Sequence, residues 1–525
     1  MDSTRQSLID EIKKRVQDRI LEQTNADLLI KLITNADSLD EAINIAALGT
    51  TYKRTGLHFD KRLEKMGDEI RYFKKNEKLS FRTDDAKPVN KLIIGDNYQA
   101  LQNLLIQYRG KIDVIYIDPP YGKDSMGEFA KTNYNNAITR DNLLSMLYPR
   151  LVLARQLLSD EGVIFCSIDD KNQAYVKCLF DEIFGETNFA GIFPWRKRTA
   201  KSDVPFGISQ DYEYILIFAK SEFFKASIEG GNRKYFETPD FPNRPWRIHD
   251  MTKQTTAKER PNSFFTMINP KNGDEFPCDP NRTWRITKDT FQSYYNANEI
   301  IFPGDYNFLK ISKPVARYFK DKDIEKAGDD FGKIAVSTKL PDYVGMSQDG
   351  TKEISNILGE KSFGYPKSVK LITFLIKISS NPNSTILDFF AGSGTTGHAV
   401  LDLNKSDGGN RTFILCQLNE KTDANPNGIA YDVTSKRLKR IMTGECYDGS
   451  KDFPWIKDNE PYGGNLDVLE IGEVFNSAPE KGGTPFDVID ETLYGKEKFQ
   501  TVKEKIEWVC QNFEKTQTKI PEEEK

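Results

Sequence analysis

Short apolar runs alternate with helically spaced segments through the middle of this chain. LIIGD (92–96) is an apolar run closing on Gly-Asp, as a buried strand does, and NYQALQNLLIQY (97–108) places Leu101, Leu104, Leu105 and Tyr108 at helical intervals. KIDVIYID (111–118) is a second buried strand. DNLLSMLYPRLVLARQLLS (141–159) is a long helix in which Pro149 should start or kink a turn. GVIFCSID (162–169) and EYILIFA (213–219) predict further strands, with a helix at about 170–184 between them. The rhythm stops between about 225 and 355, where Asn, Pro, Gly, Trp and Tyr accumulate. It resumes with a helix over 367–379, a strand–loop–helix over 384–403 and a strand over 411–420. Strands alternating with helices predict a parallel sheet of the α/β class.

The flanks are different. Residues 1–85 are charged, and Leu28, Leu29, Leu32 and Ile33 recur at helical spacing, which predicts small amphipathic helices. Five regions follow: a helical region over 1–85, an α/β part over 86–224, an irregular insert over 225–357, a second α/β part over 358–445, and a C-terminal region over 446–525 without the pattern. At roughly 150 residues per domain, 525 residues allow two to four domains. Apolar residues at 38% supply real cores. With 74 basic and 78 acidic residues the net charge is −4, which argues against a uniformly basic nucleic-acid coat but permits a local basic groove. No apolar run approaches the ~18 residues of a membrane span. The first residues show no export signal, and the six cysteines form no C-x-x-C pair, so we expect a cytoplasmic protein with reduced thiols and no membrane association.

Two motifs carry chemistry. Asp388-Phe389-Phe390-Ala391-Gly392-Ser393-Gly394-Thr395-Thr396-Gly397 lies on a strand-to-helix turn, where glycines let a ligand approach the backbone. Gly392, Gly394 and Gly397 satisfy G-x-G-x-x-G, so a dinucleotide site, as in an NAD-dependent dehydrogenase, is one reading. No lysine follows the last glycine, which excludes a phosphate-binding P-loop. Ala391 and Thr395 exclude a nucleophile elbow. Glu420, at the end of the next strand, suits both ribose hydroxyls of a nucleoside cofactor; an ordinary exposed acid is the alternative.

Asp118-Pro119-Pro120-Tyr121 directly follows the strand IDVIYI. Two prolines cannot continue a strand. They fix a turn holding a carboxylate and a free carbonyl side by side, with an aromatic ring next: two acceptors and a stacking surface, suited to an exocyclic amine on a flat heterocycle. A merely stiff turn is the bland reading.

Asp118–Tyr121 together with Phe390–Gly394 resembles the signature pair of DNA amino-methyltransferases that use S-adenosyl-L-methionine. The order, catalytic motif first, resembles their circularly permuted β class. Gly95-Asp96-Asn97, the stretch 160–170 and Phe184–Phe189 are similar to the Mod (modification) subunits of type III restriction–modification systems. The resemblance covers about 90–225 and 360–440, with the family's target recognition domain between. Pro366-Lys367-Ser368 stands where the family usually has Lys-Pro, and Gly122-Lys123 follows Tyr121 in place of Asn-Thr.

The resemblance implies a Rossmann-like α/β methyltransferase sheet and transfer of a methyl group to adenine N6 in double-stranded DNA. The base is flipped out and stacked on Tyr121, and its amine is held by the Asp118 carboxylate and the Pro119 carbonyl of the Pro119-Pro120 turn. Asp388, Phe390, Gly392 and Gly394 would line the cofactor, with Glu420 on its ribose, Asp96 on its adenine edge and Lys367 on its carboxylate; for Asp96 a helix N-cap is the alternative. No metal is expected. The three histidines are scattered, and His398 reads as structural. Arg196, Lys197, Arg198 and Lys201 form a basic strip in a stretch (192–260) with 13 basic and 9 acidic residues. It reads as a phosphate-contacting loop or as a solvated face. A homodimer and a Res (restriction) partner follow from the resemblance. The alternatives are a solitary adenine-N6 or cytosine-N4 enzyme, an RNA or protein-glutamine methyltransferase, and a non-catalytic recognition subunit.

Overall fold

A computed structural model describes residues 3–17, 21, 23–48, 69–121, 139–198, 207–230, 233–359, 362–475 and 484–513. The chain divides into two compact units, residues 1–60 and 61–525.

The first unit holds three helices, α1 (Ser3–Gln17), α2 (Gln23–Thr34) and α3 (Leu39–Leu48). Ile9 and Ile12 of α1, Ala26 and Ile33 of α2, and Ala42 and Ala46 of α3 form its core. At 100° per residue the predicted leucine run splits: Leu29 and Ile33 face inward, while Leu28 and Leu32 remain 56% and 44% exposed.

The second unit is built on a nine-stranded sheet. Its strands are β1 (Glu69–Lys75), β2 (Val89–Ile94), β3 (Ile112–Ile117), β4 (Leu158–Ile168), β5 (Phe189–Arg196), β6 (Tyr212–Ala219), β7 (Thr385–Asp388), β8 (Thr412–Gln417) and β9 (Asn465–Phe475). They lie in the order β1-β9-β2-β8-β7-β3-β4-β6-β5. The six strands from β9 to β4 are parallel; β1 and β6 run antiparallel to their inner neighbours, and β5 pairs antiparallel with β6. The central strands are buried along nearly their whole length, as a sheet covered on both faces requires. The helices of this unit include α4 (Asn97–Tyr108), α5 (Thr139–Leu157), α6 (Gln173–Phe184), α7 (Ser347–Leu358), α8 (Val369–Lys377) and α9 (Thr395–Asp407). Pro149 lies inside α5, which continues past it.

Three expected boundaries shift. The region 1–85 is not helical throughout, because Glu69–Lys75 is an edge strand with Ile70, Tyr72 and Phe73 buried. The region 446–525 does not lie outside the α/β pattern, because β9 inserts between β1 and β2. Its acids hide it in a hydropathy reading, yet each faces a partner from the chain around β1. Asp467 meets Lys75 at 3.2 Å and Arg82 at 2.7 Å, Glu470 accepts from Asn76 at 2.6 Å, and Glu473 pairs with Arg71. The insert expected over 225–357 gives up its last part, since Val344 and Ile357 belong to the core beneath the sheet.

The remaining insert enters and leaves through a narrow neck, where Ile228–Glu229 pairs antiparallel with Lys333–Ile334. Beyond it, a four-stranded sheet packs Trp246, Ile301, Val315 and Phe319 together, and a second core gathers Met251, Met267, Trp284 and Phe302.

Candidate active site

The chain reverses its direction of travel across the sheet between β7 and β3, the place where a doubly wound sheet opens a crevice at its carboxyl edge. Ile386 pairs with Val114 and Leu387 with Ile115. Three residues further on, Phe390 and Asp118 therefore leave neighbouring strands at the same level.

The glycine loop is fastened from below. Asp388 accepts the Phe390 amide at 2.9 Å and the Thr396 hydroxyl at 2.5 Å, so one carboxylate ties the strand end to the start of α9. Burial pushes the Asp388 carboxyl up to about 7; the Thr396 and Phe390 donors oppose that rise and the Asp118 charge adds to it. Gly392 and Gly394 sit at φ +52° and +79°, where a side chain is strained. The Gly392 amide donates to Gln417 at 2.6 Å, and a Cβ on Gly392 would stand 3.2 Å from the Phe363 ring.

Beside the loop lies a largely buried cluster of charges. Lys367, two residues before α8, donates to both oxygens of Asp118 at 2.8 Å and to the Tyr121 hydroxyl at 3.0 Å. Tyr121 in turn donates to Asp118 at 2.5 Å. Glu213, on β6, lies 3.4 Å from the Lys367 ammonium through Oε2 and 3.3 Å from Lys197 through Oε1. Burial lowers the Lys367 pKa, but the Asp118 and Glu213 carboxylates outweigh it and hold the ammonium charged, above its ordinary range. Burial, then the charges of Asp118 and Glu213, raise the Tyr121 phenol well above its usual value. The Tyr121 and Trp195 rings wall the ammonium at 5.1 and 5.9 Å. Trp195 is fixed by donating to the Gly345 carbonyl at 2.8 Å, and the Tyr121 backbone by Asn172 at 2.7 Å.

The expected residues are distributed as follows. Asp118, Pro119, Pro120 and Tyr121 turn at the end of β3, beside the loop carrying Phe390, Gly392 and Gly394. Lys367, expected on a cofactor carboxylate, is bonded to Asp118. Asp96 is the N-cap of α4, accepting from the Tyr98 amide at 2.8 Å, and meets the buried Arg150 guanidinium at 3.2 Å. Glu420 lies three residues beyond β8, and its carboxylate makes no hydrogen bond or ion pair among the described residues. His398 is buried against Arg437 and Tyr462; burial and the Arg437 charge push its pKa well below the usual range, so the ring is neutral. In the basic strip, Arg196 is exposed, Lys197 is paired with Glu213, and Lys201 lies outside the described residues, as do Gly122 and Lys123.

Sequence reasoning missed Glu213, Trp195, Asn172 and Arg150. Glu213 carried a signal, being an acid beside the apolar run Tyr214–Ala219. Arg150 had none, since its role depends on α5 lying against α4.

Residues 112–423, more than half the chain, match a family model described as DNA methylase. The chain belongs to the DNA methylase family. Residues 5–114 match a second model, of an uncharacterised conserved protein. Among similar proteins, the StyLTI Mod subunit, a type III restriction-modification enzyme of Salmonella typhimurium, is 32% identical over 64% of this chain and 53% of its own length. The EcoPI Mod subunit of Escherichia phage P1 is 29% identical over 67% of this chain and 62% of its own length. The type II methyltransferase M.KpnI of Klebsiella pneumoniae is 30% identical over 72% of this chain and 93% of its own length. This DNA methylase thus spans between about half and three-fifths of the two Mod subunits and nearly all of M.KpnI. The solved PvuII cytosine-N4-specific DNA methyltransferase shares 13% identity over 69% of this chain and 95% of its own, with a TM-score of 0.33.

Proposed function

We propose that this chain transfers a methyl group from S-adenosyl-L-methionine to the N6 amino group of adenine in double-stranded DNA, as the modification subunit of a type III restriction–modification system. One observation carries the reading: a carboxylate on a rigid proline turn, bonded to an aromatic ring, opens beside a glycine loop on the neighbouring strand. Family membership and the Mod-subunit relatives support it.

The chain's residues fit the cofactor. The left-handed glycines leave the backbone bare where a Cβ would crowd Phe363. At the next strand end Glu420 has a carboxylate for ribose hydroxyls. When bound, S-adenosyl-L-methionine supplies an electrophilic methyl on a sulfonium.

Adenine N6 is a weak nucleophile because its lone pair is spread into the ring, and in the duplex it is out of reach. Flipping the nucleotide costs a few kcal/mol, and stacking on Tyr121 returns ~1–3 kcal/mol. Asp118 and the Pro119 carbonyl would accept the two amine hydrogens and so orient the nitrogen lone pair. Positive charge would develop on that nitrogen as it takes up the methyl. The Asp118 carboxylate stabilises that charge more than it stabilises the neutral amine, and it accepts the proton that leaves. Aspartate in this motif favours adenine over cytosine. Arg196 and the surface near it would meet DNA phosphates, the insert beyond the neck would read bases, and a Res subunit would be the restriction partner.

The test is transfer of labelled methyl groups from S-adenosyl-L-methionine to unmethylated DNA by wild type and Asp118→Ala, followed by sequencing that detects modified bases. Label in adenine, lost with Asp118→Ala, is expected. Equal incorporation by both proteins overturns the mechanism, and label in cytosine overturns the base assignment.

A further inference from the structure

The mechanism above gives the Asp118 oxygens to the substrate amine, yet both are taken by Lys367 at 2.8 Å. Oδ1 accepts from Tyr121 as well, so its two lone pairs are filled, and the bridging ammonium competes with an incoming amine for what remains on Oδ2. The position the ammonium can slide to is visible. Glu213 Oε2 is buried, accepts no hydrogen bond, and lies 3.4 Å from the Lys367 nitrogen. A buried carboxylate oxygen left unbonded is costly. Here it faces a cation that is close enough to be attracted but turned toward another acceptor. The other Glu213 oxygen is held by Lys197 at 3.3 Å, and Glu213 is only 12% exposed, so the carboxylate cannot turn to water to relieve the deficit.

We propose that Glu213 is the parking site for the Lys367 ammonium. The side chain moves from Asp118 to Glu213 Oε2 as the target amine arrives, and so exchanges one donor for another on Asp118. The inference rests on the methyl-transfer reading and adds a positioning residue to it. Charge is conserved throughout: Asp118 and Glu213 are matched by Lys367 and Lys197 before the move and after it. The Tyr121 and Trp195 rings, at 5.1 and 5.9 Å, keep the ammonium inside the cluster while it crosses. The exchange opens the Asp118 oxygens to the amine hydrogens at the moment nitrogen becomes cationic.

Glu213→Gln keeps the shape and removes the charge that draws Lys367 away. Steady-state methyl transfer from labelled S-adenosyl-L-methionine to unmethylated plasmid DNA is expected to show kcat lower by about tenfold, the size of a coupled pair, with KM for the cofactor unchanged. The double variant Glu213→Gln/Lys367→Met has no ammonium to park, and its kcat is expected to recover above that of Glu213→Gln, again with cofactor KM unchanged. A structural role for Glu213 predicts no recovery. A Lys367 that holds the cofactor's carboxylate predicts a raised cofactor KM in the double variant. Either result overturns the proposal, as does a Glu213→Gln enzyme equal to wild type. If wild type transfers no label, the methyl-transfer reading fails and takes this inference with it. If wild type transfers label in an Asp118-dependent way, the variants judge the inference alone.

Discussion

The hydroxyl of Tyr121 donates to Asp118 at 2.5 Å and receives from Lys367 at 3.0 Å, so the ring is aligned through its oxygen. This separates two contributions that a single substitution to alanine would merge. Tyr121→Phe removes the hydroxyl and keeps the stacking surface. Tyr121→Ala removes both, and stacking alone is worth ~1–3 kcal/mol. Single-turnover methyl transfer is expected to fall by less than about tenfold in the first variant and by one to two orders of magnitude in the second. Equal losses would mean that the ring's only service is its hydroxyl.

Asp388 gives the stability a definite pH dependence. Its pKa is raised from 3.8 to about 7 by burial, so between those values the folded chain holds a proton that the unfolded chain has released. The stabilisation is complete below the unfolded value and is lost as pH rises toward 7. Asp388→Asn, in which the Thr396 hydroxyl can turn from donor to acceptor, is expected to flatten this slope. Thermal melts at pH 5 and pH 8 check it: the wild-type Tm falls more across the interval than that of Asp388→Asn.

The basic strip is not uniform. Arg196 is exposed, whereas Lys197 is committed to Glu213 at 3.3 Å. Arg196→Ala is expected to weaken DNA binding at low salt and to reduce the slope of log K against log salt by about 1, the loss of one phosphate contact. Lys197→Ala is expected to leave that slope unchanged. Binding isotherms from 50 to 200 mM salt distinguish them, and equal slopes for the two variants would remove Arg196 from the interface.

Arg150 joins α5 to α4. It meets Asp96 at 3.2 Å, is bonded to Asn97, and donates to the Met146 carbonyl at 2.9 Å while itself buried. Arg150→Met deprives Asn97 of its donor and Asp96 of its cation. An unfolding free energy lower by ~1–3 kcal/mol is expected, read as an earlier urea midpoint with an unchanged m-value. Because Asp96 also caps α4, cofactor KM is expected to rise in the same variant.

The central sheet and the meeting of Asp118 with the glycine loop were legible because each depends on local pattern. Ile112–Ile117 is apolar except for Asp113, Thr385–Asp388 centres on Ile386 and Leu387, and the residues that follow them carry their own turn chemistry. β1 and β9 were not legible. In Asn465–Phe475 three acids interrupt the apolar positions, and their partners lie some 390 residues earlier in the chain. The contact of Lys367 with Asp118 was not legible, since sequence places the lysine before a helix and says nothing of how that helix lies against the end of β3 or against Glu213 on β6. The leucines of α2 show the same limit on a small scale: period alone identifies a helix, while the division into covered and bare faces depends on what packs against it.

The two-residue neck at Ile228–Glu229 and Lys333–Ile334 has a consequence for how this chain can change. Everything between departs from and returns to one spot, and it carries cores of its own around Trp246 and Trp284. Lengthening, shortening or replacing that material leaves the registers of the nine-stranded sheet untouched. The chain can therefore trade this material as one cassette without renegotiating the arrangement of Asp118, Lys367 and the glycine loop.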